Sequence, residues 1–306
     1  MPLPSPSADD PALRRRPLGS GDEWVDLPDG RRFWGRYGAA GLLVVSGSGR
    51  ILLQHRAGYS HFGGTWGLPG GARHEGESAL AAALRESAEE AGVPADLVVP
   101  SFTSVLDLGV WSYTTVVART EEEFPAVIGD AESIELRWVA EDDVADLPLH
   151  PGFAAAWPYL RPMLAVRPLL LVDGANVVGS RPDGWWKDRA GAAERLATRL
   201  DALAAAGVEA GELDLAGDRW WPEVVLVLEG QALAAEAHTT RVGVIRAQRD
   251  GDAALVEHVV GLEASRPVTV VTADRALGDD LRGAGARVIG PGRLLAALDA
   301  QDELDA

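Results

Sequence analysis

Cysteine is absent from the 306 residues, which excludes a disulfide framework, a thiolate zinc site and a cysteine nucleophile. No apolar run approaches the roughly 18 residues that a membrane-spanning helix needs. The N-terminal stretch has no signal-type apolar core after its few charges, so a cytoplasmic location without membrane partners is the expectation. Positive charge is scarce: 28 Lys and Arg face 46 Asp and Glu, a formal net charge of −18. That balance argues against broad nonspecific binding to nucleic acid, and leaves room for a locally basic groove or a metal-bridged phosphate. There is no Gly-Lys-Ser/Thr phosphate loop and no Gly-x-Gly-x-x-Gly after a strand, which disfavours P-loop and dinucleotide folds. The six histidines, at 55, 61, 74, 150, 238 and 258, show no metal-ligand spacing, and no internal repeat is evident.

What is present is an ordinary globular composition, with 47% hydrophobic and 24% charged residues, over a length that suits two domains. The most informative stretch runs from Gly71 to Val93. From Glu77 to Ala91 it is rich in Ala, Leu and Glu and free of Pro and Gly, with Gly92 and then Pro94 beyond, which predicts a helix. On that helix Glu86, Glu89 and Glu90 are related by i, i+3 and i, i+4, so their carboxylates share one face. Three like charges on one face repel. A hard divalent cation among them would turn the repulsion into binding, since Mg²⁺ takes oxygen ligands and is commonly shared with substrate phosphates. Arg85 lies four residues before Glu89 and can orient a carboxylate. The plainer reading of three glutamates is a solvated acidic face. Here they follow Trp66-Gly-Leu-Pro-Gly70-Gly71, a loop whose backbone can approach a ligand closely.

The full pattern is Gly71, five residues, Glu77, seven residues, then Arg85-Glu86-x-x-Glu89-Glu90-x-Gly92-Val93. It resembles the Nudix box. Ser87 departs from it, standing where that family prefers an aliphatic residue. The resemblance implies an α/β fold, an α/β/α sandwich around a mixed sheet, that hydrolyses a diphosphate linkage in a nucleoside diphosphate derivative. It implies Glu86, Glu89, Glu90 and the carbonyl of Gly70 as ligands of Mg²⁺, with Mn²⁺ as the alternative. Glu86 is either a further ligand or the base that takes a proton from the attacking water; Arg85 holds a neighbouring carboxylate, and Glu77 braces the loop against the helix. Phe62, Trp66 and Trp111 are the nearest aromatic side chains for stacking on a base, each also readable as a packing residue.

Around this box the chain divides as follows. The expectation is a flexible tail over residues 1–20, with Arg14-Arg15-Arg16; a Nudix domain over 21–146; a proline-rich junction over 147–167; and a second, NYN/PIN-like domain over 168–306. In the first domain, Gly38 to Val45 and Ile51 to Arg56 predict a hairpin of core strands, Val105 and Tyr113–Val117 further strands, and Glu132 to Val139 a closing strand whose Glu135 is a candidate near the metal. In the second, strands at Leu169–Val172, Val224–Leu228, Val242–Ile245, Val268–Thr272 and Arg287–Ile289 alternate with helices such as Arg189–Ala204 and Leu255–Leu262. Such alternation predicts a parallel sheet with ligands at the carboxyl ends of its strands. Asp173, Glu229 and Asp274 stand at those ends, and Asp252 opens a helix.

Asp173-Gly-Ala-Asn176 after an apolar strand, Thr272-Ala-Asp274-Arg275, and Gly285-Ala-Arg-Val-Ile-Gly-Pro resemble the NYN group of PIN-like domains, a Rossmann-like parallel α/β fold. The resemblance implies a second site at Asp173, Asn176, Asp252 and Asp274, where carboxylates hold metal ions for phosphodiester hydrolysis, with RNA as partner. The alternative function is therefore an RNA nuclease or RNA-binding protein whose Nudix-like half senses nucleotides. Trp185-Trp186 and Trp220-Trp221 are readable as base-stacking pairs or as packing residues.

Overall fold

The computed structural model describes residues 20–248, 250–263 and 265–304. Apart from Ser20, the expected tail with its three arginines lies outside the described residues. The chain forms two units, one ending at Leu164 and the other beginning at Ala165.

In the first unit a short antiparallel hairpin, β1 (Trp24–Asp26) and β2 (Arg32–Trp34), sets Trp24 opposite Trp34. Then come β3 (Ala39–Ser46), β4 (Arg50–Arg56), β5 (Trp66–Gly67), β6 (Gly70–Ala72), helix α1 (Ala79–Ala91), β7 (Val99–Asp107), β8 (Ser112–Thr120), β9 (Ser133–Ala140) and helix α2 (Pro151–Leu160). All eight residues of β3 are buried, as its apolar run requires of a strand covered on both faces. It pairs parallel with β8 along its whole length and antiparallel with β4 and β6. Strand β7 lies antiparallel on β8, and β5 and β9 on β4, so the sheet is mixed.

Helix α1 packs its alanines Ala82, Ala83 and Ala91 on Leu42, Val44, Leu52 and Val116. Small residues bring the helix close to the sheet, and with it the glutamates. The helix begins at Ala79, two residues later than the composition predicts, because Ser78 is extended and its hydroxyl accepts from the Ala81 amide at 3.1 Å. Such a cap stabilises a helix by about 1 kcal/mol. Glu77 is thus released from the helix to face Arg85. At the other end Gly92 adopts the left-handed conformation, φ 64°, as a C-terminal glycine should. Ser87 is fully buried and its hydroxyl donates to the Ala83 carbonyl at 2.6 Å, which removes the penalty of placing a hydroxyl where an aliphatic side chain would pack.

The proline-rich segment carries α2, whose Phe153, Trp157 and Leu160 are buried. His150 caps it through Nδ1, which accepts from the Gly152 amide at 3.2 Å.

The second unit comprises β10 (Leu169–Asp173), α3 (Gly174–Gly179), α4 (Arg189–Ala206), β11 (Val208–Glu209), α5 (Ala210–Leu213), β12 (Arg219–Trp220), β13 (Glu223–Leu228), β14 (Val242–Arg246), α6 (Gly251–Val260), β15 (Val268–Val271), α7 (Arg275–Gly283), β16 (Arg287–Ile289) and α8 (Pro291–Leu304). Strands β14, β13, β10, β15 and β16 form, in that order, an all-parallel sheet. Its core joins Leu169, Leu171, Val225 and Val270 to Leu255, Leu277 and Leu281 of the covering helices. The chain runs outward from β10 to β14 and then returns to the other side at β15. Ligands in such sheets enter at that reversal, outside the strand carboxyl ends. No helix among the described residues is long and apolar enough to cross a membrane.

Burial pushes the His150 imidazole down to about 4, with Arg56 and His61 adding to the effect. A folded-state value below the unfolded 6.5 stabilises the protein above pH 6.5, and that contribution is lost as pH falls towards 4. Thermal melts at pH 7, 5.5 and 4 are expected to show a loss on the order of 2 kcal/mol from this group, and a smaller fall in His150→Asn, which keeps a cap acceptor without titrating.

Candidate active site

The acidic face of α1 is held in order by Arg85. Its Nε and Nη2 donate to the two carboxylate oxygens of Glu77, each at 2.9 Å, and Nη2 also reaches the Ala72 carbonyl at 3.0 Å. Its Nη1 donates to Glu86 at 2.6 Å and stands 3.6 Å from Glu89. Glu77 in turn accepts from the His74 amide at 2.9 Å. The Arg85 hydrogen bonds, followed by the His74 amide, hold the Glu77 carboxyl down at about 2 against the opposing cost of burial. One guanidinium therefore ties the loop before the helix to the glutamates on it, in the planar two-pronged geometry that lysine cannot supply.

Glu90 is 4% exposed. Its carboxylate accepts from the Gly70 amide at 2.9 Å and the Gln54 amide nitrogen at 3.3 Å. Burial pushes its carboxyl up to about 8; the Gly70 hydrogen bond opposes this, and the negative fields of Glu86, Asp130 and Glu132 add to it. Gln54, fully buried, also donates to Ser133 Oγ at 2.7 Å, while its own Oε1 has no partner among the described residues. An orphaned buried acceptor costs about 1–3 kcal/mol. Glu86 lies in a glycine cradle: a Cβ on Gly71 would sit 2.7 Å from the Glu86 carboxyl carbon, and one on Gly70 would sit 2.4 Å from the Ala40 carbonyl oxygen.

Among the described residues no group of three or more Asp, Glu or His side chains is arranged to hold an ion by itself. Mg²⁺ does not need one, because one or two carboxylates, water and substrate phosphates commonly complete its shell. A buried carboxylate short of compensating charge beside an unpartnered amide oxygen is a donor set that fits such an ion.

Three contributors escape a reading of the sequence. Gln54 shows there only as a polar residue in an apolar strand. Asp130 and Glu132 sit in a loop with no spacing relation to the helix. Tertiary contacts bring that loop in: the Val127 and Gly129 amides donate to the last carbonyls of α1, Ala91 at 3.1 Å and Glu90 at 3.0 Å. From the loop after β4, the Ala57 amide donates to the Glu132 carbonyl at 2.7 Å, and the Tyr59 hydroxyl to the Ala131 carbonyl. Glu135 instead is exposed and faces His55 and Arg137 at 3.9 and 3.7 Å.

The aromatic residues separate by burial. Trp66 is 4% exposed, stacked on His55 with its ring centre 4.3 Å from the Arg137 guanidinium. Trp111 is 7% exposed, stacked on Phe33, and donates to the Trp34 carbonyl at 3.1 Å. Phe62 is exposed.

In the second unit Asp173, at the end of β10, caps α3 through the Asn176 amide and accepts from the Asn176 side chain at 2.6 Å and the Thr272 hydroxyl at 2.8 Å. Asp274 caps α7. Burial, then the fields of Asp173, Asp250, Asp274 and Glu229, raise the Asp252 carboxyl above its ordinary value. The structure thus joins Asp173 and Asn176 by hydrogen bonds and puts Asp252 within the field of Asp173 and Asp274.

For the first site, Glu77→Gln should leave Arg85 without its bidentate anion and lower unfolding stability at pH 7 by about 2 kcal/mol. Because the folded value is depressed, this contribution is present above pH 4.5 and fades as pH falls towards 2. Urea unfolding of the two proteins at pH 7 and pH 2.5 should show the gap closing.

The NUDIX domain family matches residues 35–160. A Mycobacterium tuberculosis protein named "Putative 8-oxo-dGTP diphosphatase 3" is 51% identical over 173 residues, 53% of this chain and 79% of that protein. A Bifidobacterium longum "Nucleoside triphosphate pyrophosphatase/Nudix hydrolase fusion protein" is 45% identical over 148 residues, 45% of this chain and 30% of that one. Among solved structures, the M. smegmatis Nudix hydrolase RenU shares 51% identity at a TM-score of 0.45, covering 47% of this chain and 96% of that one. With the identity to the M. tuberculosis protein sustained over that share of its length, the chain belongs to the Nudix family, hydrolases of phosphorus-containing anhydrides.

Proposed function

We propose that the first unit, an α/β/α sandwich in the manner of its family, hydrolyses the diphosphate linkage of a nucleoside diphosphate derivative or nucleoside triphosphate, with Mg²⁺ or Mn²⁺ as cofactor. The observation that carries this is the buried Glu90 carboxylate, bound to the Gly70 amide and next to the Arg85-held Glu86. The name of the M. tuberculosis relative points to an oxidised purine nucleotide as the first substrate to try. A divalent ion held by Glu89, Glu90 and the Gly70 carbonyl would neutralise the diphosphate and polarise the attacked phosphorus.

The chain's own groups do the rest. Arg85 stabilises Glu86 as an anion, able to take a proton from the attacking water or to serve as a further ligand. Glu77 fixes Arg85. Arg56 forms no ion pair among the described residues, and its field reaches His150 and Tyr113, the latter also within the field of Glu90. It is a candidate cation for a substrate phosphate. Replacing Glu89 or Glu90 by Gln is expected to lower Mg²⁺-dependent release of nucleoside monophosphate from 8-oxo-dGTP on the order of 100-fold or more. Wild-type rates in both variants would remove the mechanism.

A second reading concerns residues 168–306 as a NYN-type PIN-like domain that cleaves or binds RNA, with the first unit sensing nucleotides. Its support is the meeting of Asp173, Asn176 and Thr272 at the sheet's reversal, with Asp252 in the field of Asp173 and Asp274. Beside them an open cleft of about 480 Å³ is lined by Thr272, Asp274, Arg275, Gly290 and Pro291. RNA cleavage that Asp173→Asn abolishes, without nucleotide turnover, would favour this reading. RNA retained on a filter without cleavage would reduce it to binding.

A further inference from the structure

The loop after β4 carries a strained residue. Phe62 has φ +55°, a left-handed conformation that is an outlier for a bulky side chain and costs on the order of 1–3 kcal/mol. Such strain persists only where surrounding contacts over-determine it, and here they do. The Thr65 hydroxyl donates to the Phe62 carbonyl at 2.6 Å, Arg56 Nε to the His61 carbonyl at 3.2 Å, and the Gly63 amide to the Ser60 carbonyl at 2.9 Å. What this backbone achieves is to hold an aromatic side chain out in solvent, 46% exposed.

Phe62 does not stand alone. Its ring lies 4.2 Å from His61 and 4.9 Å from His150; His61 lies 5.8 Å from Trp24, and Trp24 5.2 Å from Trp34. These contacts are all edge-on, with interplanar angles of 65–88°. Among the described residues no ring in the row is stacked on a parallel ring, in contrast to Trp66 and Trp111, which stack on His55 and Phe33. The Arg32 guanidinium lies 5.0 Å from the centre of the Trp24 ring, so the open faces are those of His61 and Phe62. Trp24 and Trp34 come from the β1–β2 hairpin, which precedes the matched residues 35–160.

The same loop borders the carboxylates. Its Ala57 amide and Tyr59 hydroxyl fasten the Asp130–Glu132 loop, and its base is tied to Arg56 by Arg56 N–H to the Thr65 carbonyl and Gly64 N–H to the Arg56 carbonyl, both 2.9 Å. One short segment therefore fastens the acidic Asp130–Glu132 loop, carries the Arg56 guanidinium at its foot and holds the exposed rings of His61 and Phe62. That sequence of charges and surfaces matches a metal-bound diphosphate, a phosphate and a base.

We propose that Phe62 and His61, backed by Trp24, form the platform on which the base of the nucleotide substrate stacks. This rests on the first unit being a nucleotide hydrolase and adds that the base, rather than the sugar or phosphate, sets affinity through this loop.

Equilibrium binding by titration calorimetry, without divalent ion, tests it with guanosine monophosphate and ribose 5-phosphate as probes. Base stacking on an aromatic side chain is worth about 5- to 150-fold in affinity, so wild type should prefer the nucleotide by at least about 5-fold. Phe62→Gly is the informative variant. Glycine accepts a positive φ without strain, so its melting temperature should stay level or rise while the preference for the nucleotide disappears and ribose 5-phosphate binding is unchanged. Phe62→Trp should retain the preference and Phe62→Leu lose it. Equal binding of the two probes by wild type, no detectable binding of either, or an undiminished preference in Phe62→Gly would overturn the platform. Absence of metal-dependent hydrolysis with the Phe62-dependent preference intact would instead overturn the hydrolase reading alone.

Discussion

A carboxylate removed from water next to other carboxylates is the constraint on which the first unit turns. Glu90 is buried in the company of Glu86, Asp130 and Glu132, and among the described residues its donors are one backbone amide and one side-chain amide. In a low-dielectric setting that negative charge is strongly disfavoured unless a cation approaches. Arg85 supplies positive charge to Glu86 and Glu89 but not to Glu90. The protein thus holds a carboxyl group whose negative charge is under-compensated at a position where the glycine loop leaves the backbone close, and the proposed divalent ion would supply the missing charge.

Keeping that anion in place is largely the task of backbone. Two glycines at 70 and 71 let β6 lie against β3 and leave room for Glu86. Alanines on α1 let the helix settle on the sheet. The last carbonyls of α1, which a helix end leaves without partners, are taken up by the Val127 and Gly129 amides, and the same contacts fix the second acidic loop. Gly129 has no freedom here, since a Cβ there would stand 1.8 Å from the Glu89 carbonyl oxygen. Helix termination and site assembly are one event.

The second unit follows a different rule. Its acids are gathered by topology: strands that run in one direction, with the order reversing at β10 and β15, bring Asp173 and Thr272 within hydrogen-bonding distance although they are 99 positions apart. Asp173 and Asp274 also cap the helices that follow their strands, so each has a structural duty of its own.

Much of this was legible before any coordinates. A composition rich in Ala, Leu and Glu and a terminal glycine mark α1, the alternation of apolar runs with helices marks the parallel sheet, and the spacing of Glu86, Glu89 and Glu90 puts them on one ridge, because local backbone geometry alone relates residues three and four apart. What a linear reading could not supply is everything that depends on distant segments meeting. Glu77 reaches Arg85 because Ser78 stops the helix short; Gln54 and the Asp130–Glu132 loop join Glu90 through strand pairing and loop contacts; Trp66 and Trp111 are closed off while Phe62 stays open. Burial and long-range fields are properties of the assembled core, and it was the packing of sheet, helix and loop that decided which charges feel each other and which ring faces remain available.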